Sequence, residues 1–574
     1  MLEHTGSETD PLGPENVLLF MAGPLTGTKA FSADRFEVIT KSPLTGIYAE
    51  SDCGGHWAEA MKRCGVDGLM IVGQAKRPAH IVMDDDGIRI EDGRWLWGKD
   101  TYQVDDLVKA RLGGKAQTVC IGIAGENLVK IASIMTDGRH GRAAARAAIG
   151  AVMGSKRLKA ITAMGTKKVP LAREEELDRF VKEWAPKIRE SAKVLADYGT
   201  SCGIEYMEKV GDFPIKNWLD GNFAKAPEMT GQHMARTILK KSYHCGRCVL
   251  GYGRTVEVAG DKYSVPESAG PEYETISMLG ANCLIGDLEA ISKGNELCNR
   301  FGLDTISTGN LIAFCMEAWE RGLVDGTQTG GLVLEWGSAE AMLGMVDRIA
   351  RRKDLGRVLG EGLRAACSEL GGNSEEFAMQ VKGLDFPGHD PRAKVAVGLS
   401  YATSNRGACH LQSFSADFED SACIPDLGYS EPADRFETKG KGKFVADHQN
   451  LMSLFDSVRC CRFMIFGGIT VEPLLEMMNM VTGWDWSKEE FLQAGERIYN
   501  LKRMYNVRMG MSRKDDTLPP RILNQPRGGG SGDNLPILNE MLKEYYRVRG
   551  WDEFGIPSPD TLKRLELQAL AETA

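Results

Sequence analysis

The sequence predicts an α+β protein: a β-rich N-terminal domain followed by two mainly α-helical domains. Three observations predict it. Short apolar runs punctuated by Gly and Pro fill residues 1–165. Helical periodicity sets in near residue 173 and continues to the C-terminus. The length, 574 residues, exceeds what one hydrophobic core accommodates. The expected divisions are 1–170, 171–385 and 386–574.

The elements follow in order. "NVLLFMAG" (16–23), "RFEVITK" (35–41) and "GLMIVGQ" (68–74) read as strands. "AHIVMDDDGIRIED" (79–92) reads as strand, Asp-Gly turn, strand. "IGAVMGSKRLKAITAMG" (149–165) closes the β-rich region. "REEELDRFVKEWAPKIRESAKVLADYG" (173–199) carries acids early, cations later and a Gly stop, as the helix dipole favours. Helices are expected over 287–304 and 308–324, and through the C-terminal third from about 390. The loop "NQPRGGGSGDN" (524–534) is expected to be mobile.

Composition narrows the function. The hydrophobic share of 43% and charged share of 26% are those of a soluble globular chain. The net charge is −9 with no basic stripe, which argues against nucleic acid as the main partner. No window approaches the ~18 apolar residues of a membrane span, and the first residues lack a signal-peptide pattern. A cytoplasmic location is therefore expected. The 14 Cys of such a chain are buried hydrophobes or metal and redox groups rather than a disulfide framework.

Several turns could bring backbone N–H groups against an anionic ligand: "AGPLTGT" (22–28), "SPLTG" (42–46), "DCGG" (52–55) and "IGIAGENLV" (121–129). Each alone also reads as ordinary turn chemistry. "GRHGRAAARAAIGAVMGSK" (138–156) adds Arg139, Arg142, Arg146 and Lys156, which suit an anion or a solvated helix start. "KSYHCGRCVLGYGRTVEV" (241–258) places Cys245 and Cys248 on a turn leading into a strand. Metal site, redox dithiol and ordinary thiols all remain open, but Gly251-Tyr252-Gly253 disfavours the helix that a thioredoxin-like motif would open. Glu274 in "AGPEYETI" and His410 in "SYATSNRGACHL" are candidate proton-transfer groups, or a surface carboxylate and a core histidine. In "SLFDSVRCCRFMIF" (453–466) the vicinal Cys460 and Cys461 on a helix point in different directions, so at most one naturally faces a given site; Asp456 and Arg462 flank them.

Taken in order, "DPLGPENVLLFMAGPLTGT", "SPLTG", "GIAGENLV", "GAVMGSKRLKA", "KGLDFPGHDPRA", "YATSNRGACH" and "YYRVRGWDEFGIP" resemble the aldehyde:ferredoxin oxidoreductase family, the tungsten enzymes with a bis-pyranopterin cofactor. The resemblance covers essentially the whole chain. It implies an N-terminal β saddle beneath two pterins and a pterin segment of pattern D-x-x-G-L-(C/D) in each later domain. Arg35 and Arg146 match arginines that contact the pterin phosphates, which Mg bridges. Asp52 stands where Asn is common, beside Gly54 of the pterin loop. The first pterin segment is Asn299 to Asp304, with Asn for the leading Asp. The second runs from Asp456 to Cys461, with Arg459-Cys460 for Gly-Leu, and Arg462 follows it. Ala147 and Ala148 replace glycines, which requires negative φ there. Met1 falls inside what looks like the family's helix "…LLEHTG", so the saddle is expected to be N-terminally truncated relative to the family.

The resemblance also implies the chemistry. An aldehyde and water become a carboxylic acid, with Glu274 and His410 handling protons at tungsten or molybdenum. Electrons leave through a [4Fe–4S] cluster to ferredoxin or a ferredoxin-like partner subunit. Cys245, Cys248 and the distant Cys461 match cluster ligands, but Tyr252 stands where the third Cys belongs. An altered or labile cluster is therefore expected, since thiolate is the normal ligand and phenolate a harder donor. Two alternatives stay open: a branch reducing a carboxylic acid or acyl-thioester within a larger complex, and a degenerate non-catalytic paralogue. A homo- or hetero-oligomer is compatible with both.

Overall fold

The computed structural model describes residues 1–573. Four strands form the first sheet: β1 (Leu18–Met21), β2 (Phe36–Lys41), β3 (Tyr48–Cys53) and β4 (Gly68–Ile71), in the order β3-β2-β1-β4 and all antiparallel. Strand β3 is not among the expected strands, and it runs into the "DCGG" segment expected to be a turn. The second sheet uses β5 (Ala79–Asp84), β6 (Gly87–Asp92), β7 (Gln117–Ile121), β8 (Ile134–Thr136), β9 (Arg142–Ala144) and β10 (Leu158–Ala163), in the order β6-β5-β10-β7-β8-β9. The expected hairpin is β5–β6, paired through Asp84 and Gly87.

Alternation along β2 and β3 divides the residues between two environments. Phe36, Val38 and Cys53 enter a core around Trp57, whose ring meets that of Phe36 at 4.8 Å. Glu37, Glu50 and Asp52 line a cavity instead, and Glu37 lies opposite Asp52 across the ladder.

The rest is mainly helical. The helices Glu174–Ser191 and Lys193–Tyr198 replace the single expected one, and Gly199 at φ 71° ends the second. Asp287 caps Leu288–Phe301, Gly302 at φ 70° ends it, and Asp304 caps Thr305–Glu320 through the Ile306 and Ser307 N–H groups. One large core gathers side chains from 124–378, and another joins 25–33 to 177–218 and 379–551. The loop 524–534 is pinned rather than loose. Arg527 inside it pairs with Asp390 at 2.6 Å and donates to the Phe213 carbonyl at 2.7 Å. No helix among the described residues is long and apolar enough to cross a membrane.

Candidate functional site

A cavity of about 950 Å3 opens where the first sheet meets the helical cores. Its wall includes Arg35, Asp52, Gly54, Arg146, Glu274, Asn299, Asp304, His410, Asp456 and Arg462, together with Cys245, Tyr252 and Cys461. Residues more than 400 positions apart in sequence thus share one space.

The sulfur corner is built on a turn. Strand β11 (Leu239–Tyr243) pairs antiparallel with β12 (Gly253–Val258), which pairs with β13 (Val265–Ala269). Cys245 and Cys248 lie on the β11–β12 connection, where the Gly251 N–H donates to Cys248 Sγ at 3.4 Å. Tyr252 Oη stands 4.0 Å from Cys461 Sγ, and its ring packs edge-on against Phe463 at 4.9 Å. Cys460 turns the other way, with its Sγ toward the Phe31 carbonyl at 3.6 Å. Burial pushes the Cys245 thiol up to about 11 and raises Cys461 and the Tyr252 phenol as well. Unmetallated, all three hold their protons at neutral pH. Arg35 and Arg142 sit close enough to act on Cys245, and each favours its thiolate.

A cationic rim faces the first sheet. Arg35 Nε donates to Asp52 Oδ2 at 2.7 Å, and Arg459 reaches Asp52 at 3.2 Å and Glu37 at 2.7 Å. Arg459 has φ 66°, the left-handed conformation that Gly302 adopts at the matching point of the first D-x-x-G-L-like segment. Both segments therefore end a helix on a left-handed residue, the conformation that glycine adopts most readily. Here Arg459 tolerates the strain while joining two buried carboxylates. Arg462 pairs with Asp456, and Glu50 pairs with Lys502 and accepts from Gln412 at 2.6 Å. Against the pull of burial, Lys502 holds Glu50 down to about 2.

Ala147 departs from expectation. It and Ala148 adopt φ 64° and 63°, not the negative φ that alanine prefers. Ala147 packs with Ala49 and Leu384 behind the cavity wall, and its carbonyl accepts from Ser42 at 2.9 Å. Its Cβ thus has room, and the backbone carries the strain. Asp304 is engaged as a helix cap and lies 3.5 Å from Arg146. Asn299 lies beside Gly141, where a Cβ would stand 2.9 Å from its amide nitrogen.

At the opposite wall, Glu274 opens the helix Tyr273–Leu279. Its Oε2 accepts the Gly388 N–H at 2.7 Å. Its Oε1 faces His410 Nε2 at 3.5 Å and His389 Nε2 at 3.8 Å. Burial raises Glu274, opposed mainly by His389 and the Gly388 N–H. Burial and the neighbouring His389 and Arg146 push His410 well down, so it is neutral. His389 sits in "KGLDFPGHDPRA", where the sequence alone assigns the histidine no role. Its pairing with Asp212, 177 positions away, leaves no local signal.

The wall suits a large anionic ligand. Buried Arg406 Nε and Arg462 Nε have no hydrogen-bond partner within the protein, and Arg146 Nε has only Asp304 at 3.5 Å. At Gly54 an added Cβ would lie 3.0 Å from both Arg35 Nη1 and Cys245 Sγ, so the backbone there leaves room for nothing larger. Cys248 lies close enough to act on both the Cys245 and the Cys461 thiol, so three thiols gather at this corner beside the arginine-bearing wall.

Residues 1–165 match the model of the aldehyde ferredoxin oxidoreductase N-terminal domain, and residues 179–567 match that of its domains 2 and 3. The chain belongs to the aldehyde ferredoxin oxidoreductase family. It is an oxidoreductase. The tungsten-containing aldehyde ferredoxin oxidoreductase of Thermococcus kodakarensis is 39% identical over 97% of this chain and 91% of that protein. The protein of the same name from Pyrococcus furiosus is 37% identical over 98% of this chain and 92% of the relative. The active site complex of benzoyl coenzyme A reductase with 1,5 dienoyl-CoA superposes with a TM-score of 0.86, at 24% identity, over 100% of this chain and 92% of that one. At that identity the likeness concerns the fold alone.

Proposed function

We propose that this aldehyde ferredoxin oxidoreductase family member oxidises an apolar aldehyde with water to the carboxylic acid, releasing two protons and two electrons. The electrons go singly to ferredoxin or a partner subunit. One observation carries the reading: a buried carboxylate, Glu274, faces two histidines in the same cavity that reaches Cys245 and Cys461. Arg35, Asp52, Arg146, Asn299, Asp456 and Arg462 would hold a tungsten bis-pyranopterin. Cys245, Cys248 and Cys461 would hold three corners of an iron–sulfur cluster, with Tyr252 at the fourth. When bound, these groups supply the two-electron redox change and pass the electrons on.

The chain's own residues do the rest. Leu195, Met207, Leu411, Phe414 and Phe466 give the cavity an apolar flank, which suits the hydrocarbon part of a substrate. Neutral His410 donates a hydrogen bond to, or accepts one from, the substrate oxygen or water. Glu274 takes the proton that water loses on attacking the carbonyl. Burial keeps bulk water from competing. Glu37, Glu50 and Asp456 come within 4.8 Å of one another, yet each is already paired with a cation, so they are not assigned to Mg. The domain division at 170 and 385 belongs to this reading, with pterin contacts from all three parts.

The test is metal analysis of the anaerobically purified chain, joined to dye-linked aldehyde oxidation. About one tungsten and three to four irons per chain with turnover of apolar aldehydes supports the reading. A chain that binds neither metal sinks it.

A further inference from the structure

Beyond its contact with Glu274, His389 leads into a buried charged chain. His389 Nδ1 meets Asp212 Oδ2 at 2.8 Å. Lys394 Nζ reaches the same Asp212 oxygen at 2.9 Å and pairs with Asp420 beyond it. The side chains of Asp212 and Lys394 are wholly buried, and that of His389 is 9% exposed. The Asp390 N–H donates to Asp212 Oδ1 at 2.9 Å, and Tyr273 stacks on the His389 ring at 5.2 Å. The imidazole is therefore fixed in both plane and tilt, with Nε2 directed at Glu274. We propose that His389 is a positioning residue for Glu274: clamped by Asp212 and backed by Lys394 and Asp420, it holds a positive charge beside the carboxylate and sets the pH range in which Glu274 accepts a proton.

The charges favour that state. Asp212 and Asp420 are two carboxylates against one ammonium, which leaves a negative charge for His389 to balance. Burial works against a charged imidazole, and the Asp212 carboxylate outweighs it, raising His389 above its ordinary value. The charged groups facing His389 are Asp212, Glu274, Lys394 and Asp417, with His410 5.7 Å away ring to ring. Those facing Glu274 are His389, His410, Arg146 and Asp304. Arg527 stands on the far side of Asp212, against Asp390. Two histidines on one carboxylate are thus driven in opposite directions, His389 up by Asp212 and His410 down by burial.

This rests on Glu274 being the proton acceptor, so the experiment reads Glu274 directly as well as through turnover. The protonated-carboxyl infrared band of the holoenzyme is titrated with pH and assigned by its loss in Glu274→Gln. The acid limb of kcat/KM is followed in parallel. His389→Gln removes the charge and keeps a hydrogen-bonding side chain. Both midpoints should rise by about one pH unit or more, with tungsten and iron content unchanged. Asp212→Asn keeps the histidine but weakens its charge, and should move both midpoints the same way by less. A fall in kcat with neither midpoint moved makes His389 merely structural and overturns the inference. A shifted infrared midpoint in a protein that oxidises no aldehyde supports the coupling and overturns only the proposed reaction.

Discussion

Arg35 and Cys245 meet across the bare face of Gly54, with Arg35 Nη1 and Cys245 Sγ each 3.0 Å from where a Cβ would stand. Asp52, itself held by Arg459, fixes the arginine from behind, so it cannot simply swing away. Gly54→Ala should therefore displace the sulfur by a few tenths of an ångström. Bound iron should fall while tungsten is retained, with about a tenfold loss of dye-linked activity. Unchanged iron would show that the contact is slack.

On the proposed cluster, Tyr252→Cys would place a thiol beside Cys461, where a neutral phenol now stands 4.0 Å from its Sγ. Iron should rise toward four per chain, and electron transfer to viologen should speed up. Iron counts that do not move would mean that another group already completes the cluster.

Arg459→Gly sets two effects against each other. Glycine relieves the left-handed strain, worth about 1–2 kcal/mol. The loss leaves Glu37 and Asp52 buried with less countercharge, which costs about 3–5 kcal/mol where such a pair is broken. Electrostatics wins, so the variant should melt at a lower temperature by calorimetry. Greater stability in the variant would reverse that ranking.

Asp516 is wholly buried between Lys382 at 2.8 Å and Arg503 at 3.0 Å. Those cations hold its carboxyl down to about 2 against the effect of burial, below the ordinary value near 4 of the unfolded chain. Its contribution, on the order of 2 kcal/mol, is present above about pH 4 and is lost as pH falls through about 2. Asp516→Asn should destabilise the protein at pH 7 and narrow its stability gap to the parent on acidification. A gap that stays constant down to pH 2 would contradict the assignment.

Much of this was legible in sequence because local rules and ordered motifs carried it. The β5–β6 hairpin, the Asp287 and Asp304 segments and the Cys460–Cys461 divergence all follow from periodicity or turn chemistry. Strand β3 escaped because "DCGG" (52–55) reads as a turn and the charged Glu50 and Asp52 break the apolar pattern of a strand, whereas their face of the sheet lines a charged cavity. The loop 524–534 looked loose because nothing near Arg527 in sequence announces Asp390, 137 positions away. The same blindness hid Asp212 behind His389. Ala147 and Ala148 kept their left-handed backbone without glycine because the surrounding packing, not the residue, dictates φ.

The cavity wall spans the chain from Arg35 to Phe466, and this has a consequence for how the protein is made. A ribosome delivers Glu37 and Glu50 early and their partners Arg459 and Lys502 late, so an incomplete chain presents half a socket with those carboxylates unpaired. Loading of any large prosthetic group is then tied to the closing stage of folding. Cells short of that group should accumulate full-length chains that remain open, protease-sensitive and competent to be filled later.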